Sequence, residues 1–276
     1  MPELPDTISS QVRTALKEDV GSGDLTTKLI RKNTRASAVV IAREDAVLCG
    51  TAWFDEVFRQ LKSPVESKWQ AKDGDSIKQD QLVCELEGPA RALLTGERTA
   101  LNFLQTLSGT ATVTREYVTL LTGLKTRLLD TRKTLPGLRA AQKYAVLCGG
   151  GENHRMGLYD AILIKENHIA ATGSIAEAIN QAKKTSVPVE IEVEFLHQLE
   201  EALEAGADRI LLDNFNTPKL VKAVALNRGR AKLEASGNIH KKNLRSVAET
   251  GVDYISTGAL TKHLHAIDFS MRFRME

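Results

Sequence analysis

Four cations and a histidine crowd one stretch of this chain. Asp130-Thr131-Arg132-Lys133-Thr134-Leu135-Pro136 is followed by Glu152-Asn153-His154-Arg155, and then by Lys165-Glu166-Asn167-His168. Guanidinium and ammonium donors held in one place grip carboxylates and phosphates, and arginine does so through two parallel hydrogen bonds. The chemistry expected of Arg132, Lys133, Arg155 and Lys165, with His154 beside them, is recognition of a molecule carrying several negative charges. Ser236-Gly237-Asn238 and Thr257-Gly258-Ala259 are each, alone, ordinary turns. On neighbouring strands they would form a phosphate cup, because glycine lets backbone N–H groups approach an anion closely.

The elements that must position these groups follow from hydrophobic spacing. After Gly123, short apolar strands alternate with amphipathic helices. The expected strands are 127–131, 161–165, 189–194, 209–213, 232–236 and 254–257; helices are expected near 176–183, 196–204, 218–226 and 241–249. A repeated β-α rhythm implies parallel strands with right-handed crossovers, and six such units suggest an α/β barrel. A doubly wound open sheet is the alternative, but no Gly-x-Gly-x-x-Gly turn follows any of these strands. The strands end in Thr131-Arg132-Lys133, Lys165, Glu194, Asp213, Ser236-Gly237 and Thr257-Gly258, the rim where α/β barrels carry their chemistry. Alternation turns Glu190, Glu192 and Glu194 to one face of their strand. We expect Glu190, Glu192, Arg209 and Lys232 to form a structural ion network deep in the barrel, with Glu194, Asp213 and Glu234 nearer the rim.

The first part of the chain reads as α+β with little obvious chemistry. Helices are expected over 6–19 and 53–61, strands over 36–48, 65–71 and 82–86, and a helical pattern over 90–121 with a break near Gly109. Arg98 lies in that last segment. The tail, 266–273, alternates Ile267, Phe269, Met271 and Phe273 with polar residues, a strand pattern that could return to pair with the first domain. The domains expected are 1–110, joined by the tail 266–276, and 111–265.

A net charge of +2 without a long basic run argues against nucleic acid as partner. Three cysteines without a CxxC pair, and histidines without ligand spacing, argue against a disulfide framework or zinc site. No apolar run approaches membrane-spanning length and no signal segment is apparent, so the cytoplasm is the expected compartment.

Read together, Glu18-Asp19-Val20-Gly21-Ser22-Gly23-Asp24-Leu25-Thr26, Gly96-Glu97-Arg98-Thr99-Ala100-Leu101-Asn102, Asp130-Thr131-Arg132-Lys133-Thr134, Glu152-Asn153-His154-Arg155, Lys165-Glu166-Asn167-His168, Glu192-Val193-Glu194, Leu212-Asp213-Asn214, Ala235-Ser236-Gly237-Asn238 and Ser256-Thr257-Gly258-Ala259-Leu260-Thr261 resemble quinolinate phosphoribosyltransferase over nearly the whole chain. The resemblance implies an N-terminal open α/β sandwich and an incomplete, six-stranded α/β barrel. It implies a homodimer in which Arg98 reaches the partner's barrel, a magnesium ion accompanying pyrophosphate, and Glu194 and Asp213 on ribose hydroxyls or that metal. Lys133, Glu194 and Asp213 would be catalytic. Thr131, Arg132, His154, Arg155, Lys165, Ser236, Gly237, Asn238, Thr257, Gly258 and Ala259 would complete the binding of quinolinate and phosphoribosyl pyrophosphate. Some family members carry a histidine where this chain has Lys262. Three rivals stand beside this reading. A strand-end lysine such as Lys165 would also suit a Schiff-base aldolase or isomerase. A related transferase acting on nicotinate without decarboxylation is the second. A non-catalytic binding module is the third, suggested by the Lys72-Asp73-Gly74-Asp75 turn, which we read as structural.

Overall fold

The computed structural model describes residues 2–275. The elements run α1 (Ile8–Val20), β1 (Arg35–Ala42), β2 (Ala46–Val47), α2 (Thr51–Gln60), β3 (Glu66–Trp69), β4 (Ser76–Ile77), β5 (Leu82–Pro89) and α3 (Ala90–Leu120). They continue with β6 (Arg127–Leu129), α4 (Arg139–Gly149), β7 (Ile162–Ile164), α5 (Glu166–Thr172), α6 (Ile175–Ala182), β8 (Val189–Val193), α7 (Leu196–Glu204) and β9 (Arg209–Asp213). The last are α8 (Thr217–Asn227), β10 (Lys232–Ser236), α9 (Lys241–Ala248), β11 (Tyr254–Ser256), α10 (Ala259–Lys262) and β12 (Phe269–Met275). No helix among the described residues is long and apolar enough to cross a membrane.

Two compact units emerge. The first comprises Met1–Arg115, Leu135–Gly150 and His263–Glu276, and the second Glu116–Thr134 and Gly151–Lys262. This differs from the expected boundaries at 110 and 265. The division falls inside α3, and α4 packs with the first unit because Ala141, Tyr144, Ala145 and Cys148 belong to its apolar core.

In the first unit an antiparallel sheet has the order β12-β1-β5-β3. Alternation makes β1 one-sided: Ala36, Ala38, Val40 and Ala42 are buried while the residues between them are less so. The tail pairs with β1 as expected, Val40 opposite Met271. The break expected in α3 at Gly109 is absent, and the helix runs unbroken for 31 residues. Gly109 serves close approach instead, since a Cβ there would lie 2.1 Å from the His265 carbonyl oxygen. The Lys72–Asp75 turn holds the buried Asp73, whose Oδ1 accepts from the N–H groups of Gly50 and Thr51 at the start of α2.

The second unit is the six-stranded parallel sheet expected, in the order β6-β11-β10-β9-β8-β7. Its strand apolar side chains, Leu128, Ile164, Ile191, Ile210, Leu212, Leu233 and Ile255, are buried. Helix starts are fixed locally: Ser174 accepts from the N–H of Glu177 before α6, and Asn216 from that of Lys219 before α8, with Pro218 in the first turn. The sheet curls without closing. Glu152 bridges the outer edge of β6, yet His154 contacts Glu190 of β8 and Glu234 of β10. Loop Asn153–Ala161 occupies the gap between the edge strands. The result is an incomplete α/β barrel.

Candidate active site

A hollow of about 710 Å³ opens at the C-terminal ends of the barrel strands. Thr131, Arg132 and Lys133 enter it after β6, Lys165 after β7, Glu192 from β8, Leu211 and Asp213 from β9, Glu234 and Ser236 from β10, and Ser256 from β11. His154 and Arg155 line it from the loop that spans the open seam, and Asn214, Gly237 and Asn238 complete the rim.

Each cation is held by its local backbone. Buried Asp130 organises the histidine loop, accepting from Asn153 Nδ2 at 2.7 Å and from the His154 N–H at 2.8 Å. Arg155 donates through Nη1 to the Ala161 carbonyl at 3.0 Å. Burial, and next the neighbouring charge of Arg132, hold the Arg155 guanidinium below the usual arginine range. Lys133 donates its N–H to the Thr131 hydroxyl, and its carbonyl accepts from the Thr261 hydroxyl at 2.7 Å. The Lys133 stem lies along Gly258, where a Cβ would come within 2.9 Å of the lysine Cδ. Lys165 Nζ sits 2.6 Å from Glu192 Oε2. Arg132, Lys133 and Arg155 have no ion-pair partner among the described residues.

Opposite these cations stands Asp213. Burial, and then the charge of Glu192, raise its carboxyl above the usual carboxylate range. Asn214 donates to it through Nδ2 at 2.7 Å and accepts through Oδ1 from Asn238. Gly237 has φ +91°, and a Cβ there would lie 2.3 Å from Asn214 Oδ1, so no other residue fits this corner.

Below the hollow lies a charge network that departs from the expected one. Glu190 and Arg209 are in it, with Arg209 Nε 2.9 Å from Glu190 Oε1. Glu234, expected nearer the rim, is fully buried and pairs with the same guanidinium. Lys232, expected inside, is exposed at the start of β10 and pairs with Asp253 at 2.7 Å. Glu192, expected in the network, lines the hollow instead. A lysine at a strand's first position extends to water, and the partner decides the rest: Glu192 and Glu234 are both in register with Leu211, but Glu192 meets Lys165 and Glu234 meets Arg209.

Of the residues singled out from sequence, Thr131, Arg132, Lys133, His154, Arg155, Lys165, Asp213, Ser236, Gly237 and Asn238 meet in this one hollow. Glu194 is exposed and does not line it. Thr257, Gly258 and Ala259 stand behind the rim: the Thr257 hydroxyl donates to the Ile239 carbonyl and accepts from the Ala259 N–H. Arg98 belongs to the first unit, where it is exposed on α3. His168 caps α5, its Nδ1 accepting from the Lys165 N–H. Asn214 and Ser256 were not singled out from sequence, although each adjoins a residue that was.

Residues 110–272 match the model of the C-terminal domain of quinolinate phosphoribosyl transferase, and residues 24–108 that of its N-terminal domain. The chain is 46% identical over 257 residues to a Bacillus subtilis protein named "Probable nicotinate-nucleotide pyrophosphorylase [carboxylating]", covering 92% of this chain and 89% of that one. It is 36% identical to quinolinate phosphoribosyltransferase [decarboxylating] 1b of Nicotiana tabacum, covering 96% and 82%. The solved nicotinate-nucleotide pyrophosphorylase of Francisella tularensis superposes with a TM-score of 0.94 at 47% identity, covering 99% of this chain and 98% of that one. NadC from Streptococcus pyogenes gives 0.96 at 42%, covering 100% and 99%. The chain belongs to the quinolinate phosphoribosyltransferase family.

Proposed function

We propose that this enzyme joins quinolinate to phosphoribosyl pyrophosphate, releasing carbon dioxide and pyrophosphate and giving nicotinate mononucleotide. One observation carries the reading: Arg132, Lys133 and Arg155, without ion-pair partners among the described residues, share a hollow with Lys165 and face Asp213 across it. Unpaired cations at a strand-tip hollow need an anionic ligand, and two adjacent carboxylates on a flat ring match guanidinium geometry. Arg132, Arg155 and Lys165 hold the carboxylates, His154 orients the Arg155 backbone through its Nδ1, and Lys133 lies between the two substrates. Thr131 and the Ser236-Gly237-Asn238 turn bracket the phosphates, and the Thr257-Gly258-Ala259 segment supports them from behind the rim.

The chemistry needs no protein nucleophile. The pyridine nitrogen attacks ribose C1 as the bond to pyrophosphate breaks. Asp213 faces the ribose and stabilises the positive charge that develops there. The resulting pyridinium accepts the electron pair of the ring–carboxylate bond, carbon dioxide departs, and the ring carbon takes up a proton. The protein works by orientation and electrostatics.

Magnesium fits Asp213, a half-buried carboxylate lining the hollow beside Glu192, because oxygen ligands suit a hard cation. Asp213 would hold it, and the ion would neutralise charge on the departing pyrophosphate; Glu194, expected beside it, lies outside the hollow. Arg98, exposed on its helix, would reach the barrel of a second copy in a homodimer. Buried free thiols at Cys49, Cys84 and Cys148 fit a reducing cytoplasm.

The test is incubation with quinolinate labelled in the carboxylate that is lost, together with phosphoribosyl pyrophosphate. Labelled carbon dioxide and mononucleotide should form in equal amounts. Mononucleotide from nicotinate without carbon dioxide would support a non-decarboxylating transferase. Borohydride trapping of a substrate on Lys165 would support an aldolase.

A further inference from the structure

The network below the hollow does not balance its charges. Glu190 and Glu234 face one guanidinium, that of Arg209, which also lies 4.4 Å from the centre of the Tyr254 ring. His154 accepts the Arg155 N–H at Nδ1, at 2.7 Å, so the ring proton sits on Nε2, 2.9 Å from Glu190 Oε2. That proton is spent on Glu190. Glu234 Oε1 is 3.6 Å from the same nitrogen and is buried without a hydrogen-bond partner. The residues facing Glu234 are therefore Glu190 of β8, Arg209 of β9, Tyr254 and Ser256 of β11, and His154 from the seam loop. Glu234 also forms part of the hollow's lining.

We propose that filling the hollow with a polyanion is coupled to uptake of one proton by the Glu190–Glu234 carboxyl pair, the proton residing on Glu234. This rests on the reading of the hollow as the quinolinate and phosphoribosyl pyrophosphate site. The sign follows from what surrounds Glu234. With the hollow empty, Arg132, Lys133, Arg155 and Lys165 supply a positive field that favours the ionised pair. An anionic ligand neutralises that field and adds its own negative charge above a carboxylate that water cannot reach. A proton on Glu234 Oε1 removes the excess charge and gives the orphaned oxygen a hydrogen to share with Glu190. Burial first, and the Glu190 charge second, already push the Glu234 carboxyl up to about 6. It is thus poised to change state near neutrality. Glu234 acts through Arg209 and His154, which it faces, and is a positioning residue.

The experiment is calorimetric titration of the intact enzyme with quinolinate at pH 7 in Pipes and in Tris, whose ionisation enthalpies differ. The proposal expects uptake of between about half and one proton per site in the wild type, and its loss in Glu234→Gln, since the ligand's own proton exchange is common to both proteins. Quinolinate affinity should fall as pH rises from 6 to 8 in the wild type and stay flatter in the variant. Binding with no buffer dependence, or full uptake retained in Glu234→Gln, would overturn the proposal while leaving the substrate reading intact. If quinolinate does not bind, that reading fails instead, and titration with phosphoribosyl pyrophosphate decides the coupling. Should the variant misfold, the wild type suffices: an infrared difference spectrum should show a protonated-carboxyl C=O band on ligand addition, and its absence would count against the proposal.

Discussion

The mouth and the floor of the barrel carry similar residues and treat them in opposite ways. At the mouth, Arg132, Lys133 and Arg155 stand without ion-pair partners among the described residues, whereas Lys165 is matched by Glu192. On the floor, Arg209 is gripped by two buried glutamates and His154 by one of them. Burial explains the difference. A buried charge must be compensated within the protein, whereas a solvated one can wait for a ligand. The floor is built for folding and the mouth for binding, and the two are distinguishable by experiment.

The largest effect belongs to the floor. Arg209→Ala leaves the buried carboxylates of Glu190 and Glu234 without their shared guanidinium and should lower the free energy of unfolding by about 3 kcal/mol. Denaturant titration measures this, and a loss no larger than that of a mouth variant would erase the contrast. The next effect is in pH. Glu234 is raised in the folded state from 4.5 to about 6, so the folded protein binds more protons between those values and loses stability as pH rises through them. The difference is about 2 kcal/mol. Chemical denaturation across pH 4.5–7 should show this decline in the wild type and a flatter profile in Glu234→Gln; a rise with pH would refute the assignment. At the mouth, Arg155→Ala or Lys133→Ala should reduce kcat/KM with quinolinate by at least ~10-fold, about 1.4 kcal/mol of transition-state binding. Wild-type kinetics in both would end the case for these side chains. The smallest effect closes the comparison. Arg132→Ala should leave unfolding within about 0.5 kcal/mol of wild type, because no folded-state partner is lost.

Much of this was legible in the sequence, for reasons particular to each part. The strand tips could be read because a parallel barrel projects them to one rim whatever the loops do, so Thr131 and Lys165 meet although they belong to opposite edge strands. The tail could be placed because Phe269 and Met271 alternate with polar residues and must find a sheet. What escaped was non-local. Gly109 reads as a helix breaker from its own propensity, and only the His265 carbonyl packed against it reveals why it is there. Helix α4 carries no strong signal of which core it serves. Alternation turned Glu190, Glu192, Lys232 and Glu234 to one side of their strands, yet the partner each meets decided its place: Glu192 and Glu234 are both in register with Leu211, but one pairs with Lys165 and the other with Arg209. Asn214 has no role readable from its own motif, because its importance lies in Gly237 and Asn238, which meet it only in the folded barrel.

The most direct test of the account is a crystal structure of the enzyme with quinolinate bound. The account predicts the pyridine ring in the strand-tip hollow, its carboxylates within hydrogen-bond distance of Arg132, Arg155 and Lys165. Quinolinate bound elsewhere, with those three side chains facing only water, would contradict it.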